Sequence, residues 1–251
     1  MKFVSVSLAL ATVLGFSQAA PAVHHKKPPY FILTGDSTVA INGGWGNGFL
    51  SVLKSGADGI NRGKSGATTV SFRNQGRWNS TLEDVETYKD DYRPIVTIQF
   101  GHNDQKTSAN ISLDEFRTNL EVMANEVKEA GGTPILITSL TRRTFDGDEV
   151  RQNLKDQRNQ TILAAKAVGA KYLDLNLAST NYINAIGQEN ADYYNSREGD
   201  RTHLNPAGET VFGRMVADLL LRKRRDLTKY VTPNLALSEK IWAGEFATGD
   251  E

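Results

Sequence analysis

Short apolar runs alternate along the chain with longer segments in which apolar residues recur every three or four positions. The runs at residues 30–33, 95–100 and 134–139 are rich in β-branched residues, and each predicts a buried strand. Residues 113–130 carry apolar side chains at helical spacing and are followed by two glycines, which predicts a helix that ends there. Strands and helices are therefore expected to alternate.

The second half of the chain continues this alternation. Residues 154–168 predict another helix, residues 171–175 a strand, and residues 206–221 a helix with a proline in its first turn. Strands joined by helical crossovers form a mostly parallel sheet with helices on both faces. The sequence therefore predicts an α/β fold, in which ligands bind beyond the carboxyl ends of the strands.

The N-terminus differs from the rest of the chain. Residues 1–19 have a basic start, an apolar stretch and small residues at the end, which predicts a signal peptide. A membrane anchor is the alternative, but the apolar run is too short and is interrupted by serine and threonine. Cleavage is expected after Ala19, with Ala22 as the other possibility, and residues 20–29 form a polar leader. We expect a secreted, extracellular protein.

Length and composition fit one globular domain with a short extension. Hydrophobic residues make up 39% of the chain and charged residues 23%, which is enough apolar material for a sizeable core. Residues 30–222 are the predicted domain. Residues 223–251 become charged and then lose a clear pattern, which indicates an extension that packs on the domain or trails from it.

Charge and cysteine content narrow the classes of function. Lys plus Arg and Asp plus Glu both number 29, so a zero net charge does not favour nucleic acid or an anionic membrane as a partner. The absence of cysteine excludes a thiol nucleophile and cysteine metal sites. Two of the four histidines, His24 and His25, lie in the leader, so we expect no metal site. Sequons at Asn79, Asn110 and Asn159 are candidate glycosylation sites and agree with export.

A serine follows the first predicted strand, in the sequence Thr-Gly-Asp-Ser-Thr. Ser37 would lie at the carboxyl edge of the sheet, where a hydroxyl can act as a nucleophile. A serine that caps a helix is the alternative, and it is common in such loops. The choice depends on whether a base and an orienting acid accompany Ser37.

Asp200 and His203 can supply those partners. A spacing of three residues lets the carboxylate bind one imidazole nitrogen while the other nitrogen faces the serine. The alternative is a salt-bridged histidine in a polar surface loop. Outside the leader, His102 is the only other histidine.

Two further positions can stabilise negative charge on a reacting carbonyl oxygen. Asn103 follows the second clear strand run and offers a side-chain N–H donor. Gly66, in the sequence Asn-Arg-Gly-Lys-Ser-Gly, lets the backbone approach a substrate without a Cβ, and a simple tight turn is its alternative. Trp45 and Trp78 can either stack on sugar rings or pack in the core, and core packing is favoured.

Taken together, these blocks resemble the SGNH (GDSL-type) hydrolase superfamily, with its four named residues at Ser37, Gly66, Asn103 and His203. The resemblance runs from about residue 30 to 221. Gly-Asp-Ser-Thr-Val, Gly-Trp-Gly, Gly-Arg and Gly-His-Asn-Asp, in that order, are most similar to rhamnogalacturonan acetylesterases. Fungal relatives often contain cysteines, which this chain lacks.

The resemblance implies a three-layer α/β/α sandwich of the flavodoxin-like type and a Ser37, Asp200 and His203 triad. It further implies an oxyanion hole made by the backbone N–H groups of Ser37 and Gly66 and the Asn103 side chain. The implied reaction removes acetyl groups from a plant cell-wall polysaccharide, with rhamnogalacturonan (pectin) as the expected substrate, and it needs no cofactor.

Other activities remain open from the sequence. A short-chain carboxylesterase, an acetylxylan esterase and a lipase of the same superfamily use the same residues, and a carbohydrate-binding protein without activity is the non-enzymatic alternative. We expect a monomer that acts on an acetylated polysaccharide and binds neither nucleic acid nor membrane.

Overall fold

The structure is a computed structural model that describes residues 1–3 and 27–251. Most of the predicted signal peptide, 1–19, and of the leader, 20–29, lies outside the described residues. Among the helices in the described ranges, none is long and apolar enough to cross a membrane.

The chain alternates between strands and helices as its apolar pattern predicts. The strands are β1 (Pro29–Gly35), β2 (Asp58–Asn61), β3 (Arg93–Gln99), β4 (Thr133–Ile137), β5 (Phe145–Asp146), β6 (Glu149–Val150) and β7 (Lys171–Leu173). The α-helices are α1 (Gly46–Leu50), α2 (Thr69–Asn74), α3 (Arg77–Tyr88), α4 (Leu113–Glu129), α5 (Lys155–Ala167), α6 (Leu175–Asp192), α7 (Pro206–Lys223) and α8 (Leu235–Ala243). Short 3₁₀ helices span Thr107–Ala109 and Arg225–Tyr230.

Strands β2, β1, β3, β4 and β7 pair in that order, all parallel, and β5 and β6 form a separate antiparallel hairpin. Successive side chains of a strand point to opposite faces. Phe31 and Leu33 of β1 therefore join the core with α1, α6, α7 and α8, whereas Tyr30 and Ile32 join the core with α2, α3, α4 and α5. These two apolar layers make a three-layer α/β/α sandwich, so the predicted fold class is confirmed.

The order of the strands locates a crevice. After β1 the chain moves to β2 on one side, and it then crosses to β3 on the other side of β1. In parallel sheets such a reversal opens a crevice at the carboxyl ends of the two strands where ligands bind. The loops that follow β1 and β3 carry Ser37 and Asn103.

Two predicted strands end two residues earlier than expected, and the one predicted over residues 134–139 ends at Ile137. The strand predicted over residues 171–175 ends at Leu173, because the Asp174 side chain accepts from Leu177 N and caps α6, which begins at Leu175. The predicted strand therefore loses its last two residues, one of them to the helix that follows.

Residues 225–251 pack on the domain and do not trail from it. Leu227, Leu237 and Ile241 are buried in the same core as α7. A β-bridge pairs Leu53 with Val231, and Tyr194 Oη donates to Ala247 O at 2.6 Å.

Candidate active site

Ser37 lies in a tight turn directly after β1. The turn closes through Val39 N and Ala40 N, which both donate to Asp36 O at 3.2 and 3.1 Å. Ser37 is 8% exposed. The helix-capping alternative is wrong, because the next helix, α1, begins at Gly46 with Trp45 as its N-cap.

The structure brings Ser37, His203 and Asp200 together. His203 Nε2 lies 2.9 Å from Ser37 Oγ, and His203 Nδ1 lies 2.9 Å from Asp200 Oδ2. An ionised carboxylate only accepts hydrogen bonds, so Nδ1 carries the proton and the Nε2 lone pair faces the serine hydroxyl. The neutral imidazole is thus held in the tautomer that can take the serine proton.

Hydrogen bonds keep Asp200 ionised. Burial acts to raise the pKa of this carboxyl, but donors from the His203 backbone and ring, Ser196 and Thr202 outweigh burial and hold the pKa below its ordinary value. Ser196 Oγ lies 2.9 Å from Oδ2, and His203 N lies 3.0 Å from Oδ1. The carboxylate is therefore both charged and fixed in position.

A buried arginine holds the loop that carries Asp200 and His203, which we call the triad loop. Arg143 Nη2 donates to His203 O at 2.6 Å and to Asp200 O at 3.2 Å, and its Nε donates to Asn195 Oδ1 at 2.9 Å. Burial lowers the pKa of the Arg143 guanidinium to about 10, so it stays charged at neutral pH. Arg143 therefore ties the loop after β4 to the triad loop.

Asn103 and Gly66 lie in the loops that follow β3 and β2, the two strands that flank β1. Asn103 is buried, and its Nδ2 donates to Ala67 O at 3.0 Å, which joins the two loops. Gly66 has a φ of +79° and follows an exposed serine in a turn. A Cβ built on Gly66 meets nothing within 4 Å, so the left-handed backbone, and not a close approach within the protein, explains glycine there.

A series of buried side-chain hydrogen bonds connects Trp45 to the serine turn. Trp45 Nε1 donates to Gln99 Oε1 at 2.8 Å, Gln99 Nε2 donates to Thr38 Oγ1 at 2.6 Å, and Thr38 Oγ1 donates to Asp36 Oδ1 at 2.7 Å. Burial raises the pKa of Asp36. Trp45 and Trp78 are 0% and 1% exposed, so stacking of either ring on a sugar is wrong and core packing is correct.

Two more ionisable residues follow Gly101 at the end of β3. His102 is buried, both of its ring nitrogens lack a hydrogen-bond partner among the described residues, and burial followed by the charge of Arg142 lowers its pKa well below the ordinary value. Burial raises the pKa of Asp104 to about 6, although its carboxylate accepts from Thr69 N at 2.8 Å and Thr69 Oγ1 at 2.7 Å.

Sequence reasoning missed Arg142 and Arg143. Both follow β4, at the same sheet edge as Ser37 and Asn103, so the position after a strand was an available signal. Arg142 Nη1 donates to Thr202 Oγ1 in the triad loop. Burial lowers the pKa of Arg142, while the charges of Asp36 and Asp200 act to raise it.

The three predicted sequons are all on the surface. Asn79 lies in α3, Asn110 follows the first 3₁₀ helix and Asn159 lies in α5, and all three side chains are exposed. Each is therefore open to a modifying enzyme in the folded chain.

This arrangement contains two parts needed for acyl transfer, a hydroxyl and a base that is held by a carboxylate. Residues 33–211 match the GDSL-like Lipase/Acylhydrolase family. The chain belongs to this family. The expected SGNH (GDSL-type) membership is confirmed, and as a GDSL-like acylhydrolase the protein is a carboxylic ester hydrolase.

Relatives of this GDSL-like acylhydrolase are named esterases. The rhamnogalacturonan acetylesterase RhgT of Bacillus subtilis (strain 168) is 31% identical over 214 residues, which cover 77% of this chain and 90% of that protein. The probable rhamnogalacturonan acetylesterase YesY of the same organism is 26% identical, with 75% and 90% covered.

Solved structures agree on the fold of this GDSL-like acylhydrolase. Protein YxiM of Bacillus subtilis aligns with a TM-score of 0.70 at 24% identity, over 82% of this chain and 59% of that one. Axe2, an acetylxylan esterase from Geobacillus stearothermophilus, aligns with a TM-score of 0.57 at 19% identity, over 79% and 94%.

Proposed function

We propose that this protein is a secreted serine acetylesterase that removes acetyl groups from rhamnogalacturonan, with Ser37, His203 and Asp200 as its catalytic triad. The observation that carries the chemistry is the continuous hydrogen-bond chain from Ser37 Oγ through the His203 ring to the Asp200 carboxylate. The identity to RhgT supports the choice of acetyl group and polysaccharide.

In the first step, Ser37 Oγ attacks the acetyl carbonyl carbon while His203 Nε2 takes the hydroxyl proton. The charge that develops on the carbonyl oxygen is stabilised by the backbone N–H groups of Ser37 and Gly66 and by Asn103 Nδ2. The bond to the sugar oxygen then breaks, and the protonated His203 gives its proton to that oxygen. The sugar hydroxyl leaves, and the acetyl group stays on Ser37.

In the second step, a water molecule attacks the acetyl-serine. His203 takes one water proton, the tetrahedral intermediate collapses, and that proton passes to Ser37 Oγ as acetic acid leaves, which loses its remaining proton to solvent and becomes acetate. Asp200 stabilises the imidazolium that forms in each step. The residues that act in these two steps require no cofactor, and the products are acetate and a free sugar hydroxyl.

The test is acetate release from acetylated rhamnogalacturonan, acetylated xylan and a long-chain lipid ester by the wild type, Ser37→Ala and the control Ser108→Ala. Ser108 is an exposed serine in the first 3₁₀ helix. We expect release chiefly from rhamnogalacturonan, lost in Ser37→Ala and unchanged in Ser108→Ala. A preference for xylan or lipid would leave the serine mechanism but overturn the substrate, and release that survives in Ser37→Ala would overturn the triad.

We also propose export to the extracellular space. The basic and apolar start of the chain and the three exposed sequons support it. Expression of the full chain in a eukaryotic host, followed by N-terminal sequencing and treatment with a deglycosidase, tests the proposal. A mature start after Ala19 or Ala22 is expected, and an intact Met1 in a purely intracellular product would overturn it.

A further inference from the structure

Asn103 has a neighbour whose role goes beyond the four named residues of the family. Lys106 Nζ donates to Asn103 Oδ1 at 2.7 Å, on the side of the amide opposite Nδ2. We infer that Lys106 is a positioning residue that orients and polarises the Asn103 amide for stabilisation of the oxyanion. This inference rests on the proposed function, because it gives Asn103 Nδ2 the role of an oxyanion donor.

The two partners of Asn103 determine which way its amide points. The Ala67 carbonyl can only accept a hydrogen bond, and it takes one from Nδ2 at 3.0 Å. The Lys106 ammonium can only donate, so it needs Oδ1. The opposite orientation of the amide would place Oδ1 against the Ala67 carbonyl oxygen and Nδ2 against the Lys106 ammonium. Acceptor would then face acceptor, and donor would face donor. No other described residue accepts from Nδ2, so its second hydrogen is left for a ligand.

The local fold places Lys106 where it can act in this way. Gln105 N donates to Gly101 O and Lys106 N to Asn103 O, both at 3.1 Å, so the chain turns back on itself after β3. Ala109 N donates to Lys106 O at 2.8 Å and begins the short 3₁₀ helix. These bonds fix the backbone at both ends of the contact.

The charge of Lys106 is available to the amide. Among the described residues, no Asp or Glu lies within ion-pair distance of Lys106. Its charge reaches the site, since it is among the causes, after burial, that lower the pKa of His102. A cation on the oxygen of an amide draws electrons from the nitrogen and strengthens its N–H as a donor.

The experiment measures hydrolysis of p-nitrophenyl acetate, a small neutral ester, by Lys106→Met, Lys106→Arg and the control Lys166→Met. Lys166 is exposed near the end of α5, which leads to the opposite edge of the sheet. Loss of a whole oxyanion donor costs about 100- to 1,000-fold in kcat, and loss of its orienting partner should cost less. We expect kcat to fall about 10-fold in Lys106→Met with KM unchanged, and Lys106→Arg to restore it within about 2-fold.

A double-mutant cycle separates this role from direct contact with substrate. In an Asn103→Ala background, Lys106→Met should change kcat by less than about 2-fold, because the residue through which it acts is gone. A full 10-fold loss in that background, or a higher KM as the main effect, would overturn the positioning role.

A readout without turnover keeps the contact testable if the proposed function fails. In ¹⁵N-labelled Ser37→Ala protein, the Asn103 side-chain amide signals, assigned by their loss in Asn103→Ala, should shift in Lys106→Met and not in Lys166→Met. Unshifted signals would overturn the inference. Shifted signals with no Ser37-dependent turnover in the wild type would instead overturn the proposed function and the catalytic part of the inference with it.

Discussion

Three aspartates around the site have pKa values shifted in different directions because they have different neighbours. Asp200 accepts several hydrogen bonds and keeps its pKa below the ordinary value. Asp36 and Asp104 are more deeply buried, and burial raises the pKa of each. One residue type thus supplies a fixed negative charge beside His203 and two carboxyl groups that take up protons more readily.

Asp200→Asn tests the fixed charge. An amide can donate to His203 Nδ1 and so favour the tautomer with its proton on Nε2, which cannot accept from Ser37. We expect kcat for an acetyl ester to fall about 1,000- to 10,000-fold with the fold intact. Asp192→Asn, which removes a carboxylate paired with Arg201, is the control, and equal losses in the two variants would contradict the role of Asp200.

Asp104→Asn tests the raised pKa. The pKa of Asp104 is about 6 in the folded chain and 3.8 in the unfolded chain. Between these two pH values the folded chain therefore holds a proton that the unfolded chain has lost. The free energy of unfolding therefore decreases as pH rises through this window, by at most about 1.4 kcal/mol per pH unit. In Asp104→Asn this contribution disappears.

Urea denaturation at pH 4, 5, 6 and 7 measures the slope. We expect the free energy of unfolding of Asp104→Asn to decrease less with rising pH, or to increase more, than that of the wild type. Asp91→Asn, a change at an exposed aspartate, should leave the slope as it is. A wild-type slope in Asp104→Asn would show that Asp104 has an ordinary pKa.

The residue types in the loops made part of the site predictable. Ser37, Asn103, Asp200 and His203 carry chemistry that few other residues offer, and the structure brings them to one edge of the sheet. The role of Arg143 was not predictable, because its acceptors lie more than fifty positions along the chain and meet it only after the sheet forms.

At the level of elements, the loops after neighbouring parallel strands assemble the site. Ser37 follows β1, Gly66 follows β2, Asn103 follows β3 and Arg143 follows β4. The triad loop is different, because it follows α6 and not a strand of the sheet, and Arg143 holds it through two backbone carbonyls. The position of His203 therefore depends on Arg143, in the loop that follows β4.

Arg143→Met tests this dependence. The substitution leaves the Asp200 carbonyl and the Asn195 side-chain oxygen without a donor and leaves the His203 carbonyl with Ser196 N as its remaining donor, and each unpaired buried acceptor is costly. We expect the free energy of unfolding to fall by about 3 kcal/mol in urea denaturation, with a lower kcat. The exposed Arg151→Met should stay within about 0.5 kcal/mol of the wild type, and a similar result for Arg143→Met would contradict the clamp.

The helices and strands were predictable where the apolar periodicity was strong, and less so where a capping contact sets the end of an element. The helix predicted over residues 113–130 appears as α4, because its apolar positions share one face. The end of β7 depends on one capping contact of Asp174, which an apolar pattern does not show. The short helix α1 buries three of its five residues and half-buries the other two, so it carries no amphipathic signal.

At the scale of the whole molecule, the C-terminal segment, residues 225–251, completes one of the two apolar layers. Its 3₁₀ helix and α8 place Leu227, Tyr230, Leu237 and Ile241 in the core that also contains α7. The apolar pattern of this segment is weak, so its packing could not be predicted from the sequence. Its removal would expose a large part of the layer that supports the triad loop.

Two leucines of α8 allow a matched test of this packing. Leu237 is 1% exposed and Leu235 is 72% exposed. Leu237→Ala leaves a cavity and should lower the free energy of unfolding by about 2–4 kcal/mol, whereas Leu235→Ala should change it by less than about 0.5 kcal/mol. Thermal and urea denaturation measure both, and equal stability of the two variants would mean that α8 does not support the core.

The β5–β6 hairpin lies between the part of the chain that carries Ser37 and the part that carries His203. Its tip, Gly147 and Asp148, is exposed, and such tips tolerate breaks in the chain. A chain divided there carries Ser37 on one fragment and His203 on the other, while β4 pairs with β7 and α1 packs on α7 across the break. Ester hydrolysis would then require both fragments. If each fragment is fused to one of two other proteins, hydrolysis of a chromogenic ester such as p-nitrophenyl acetate would report that those two proteins bind each other.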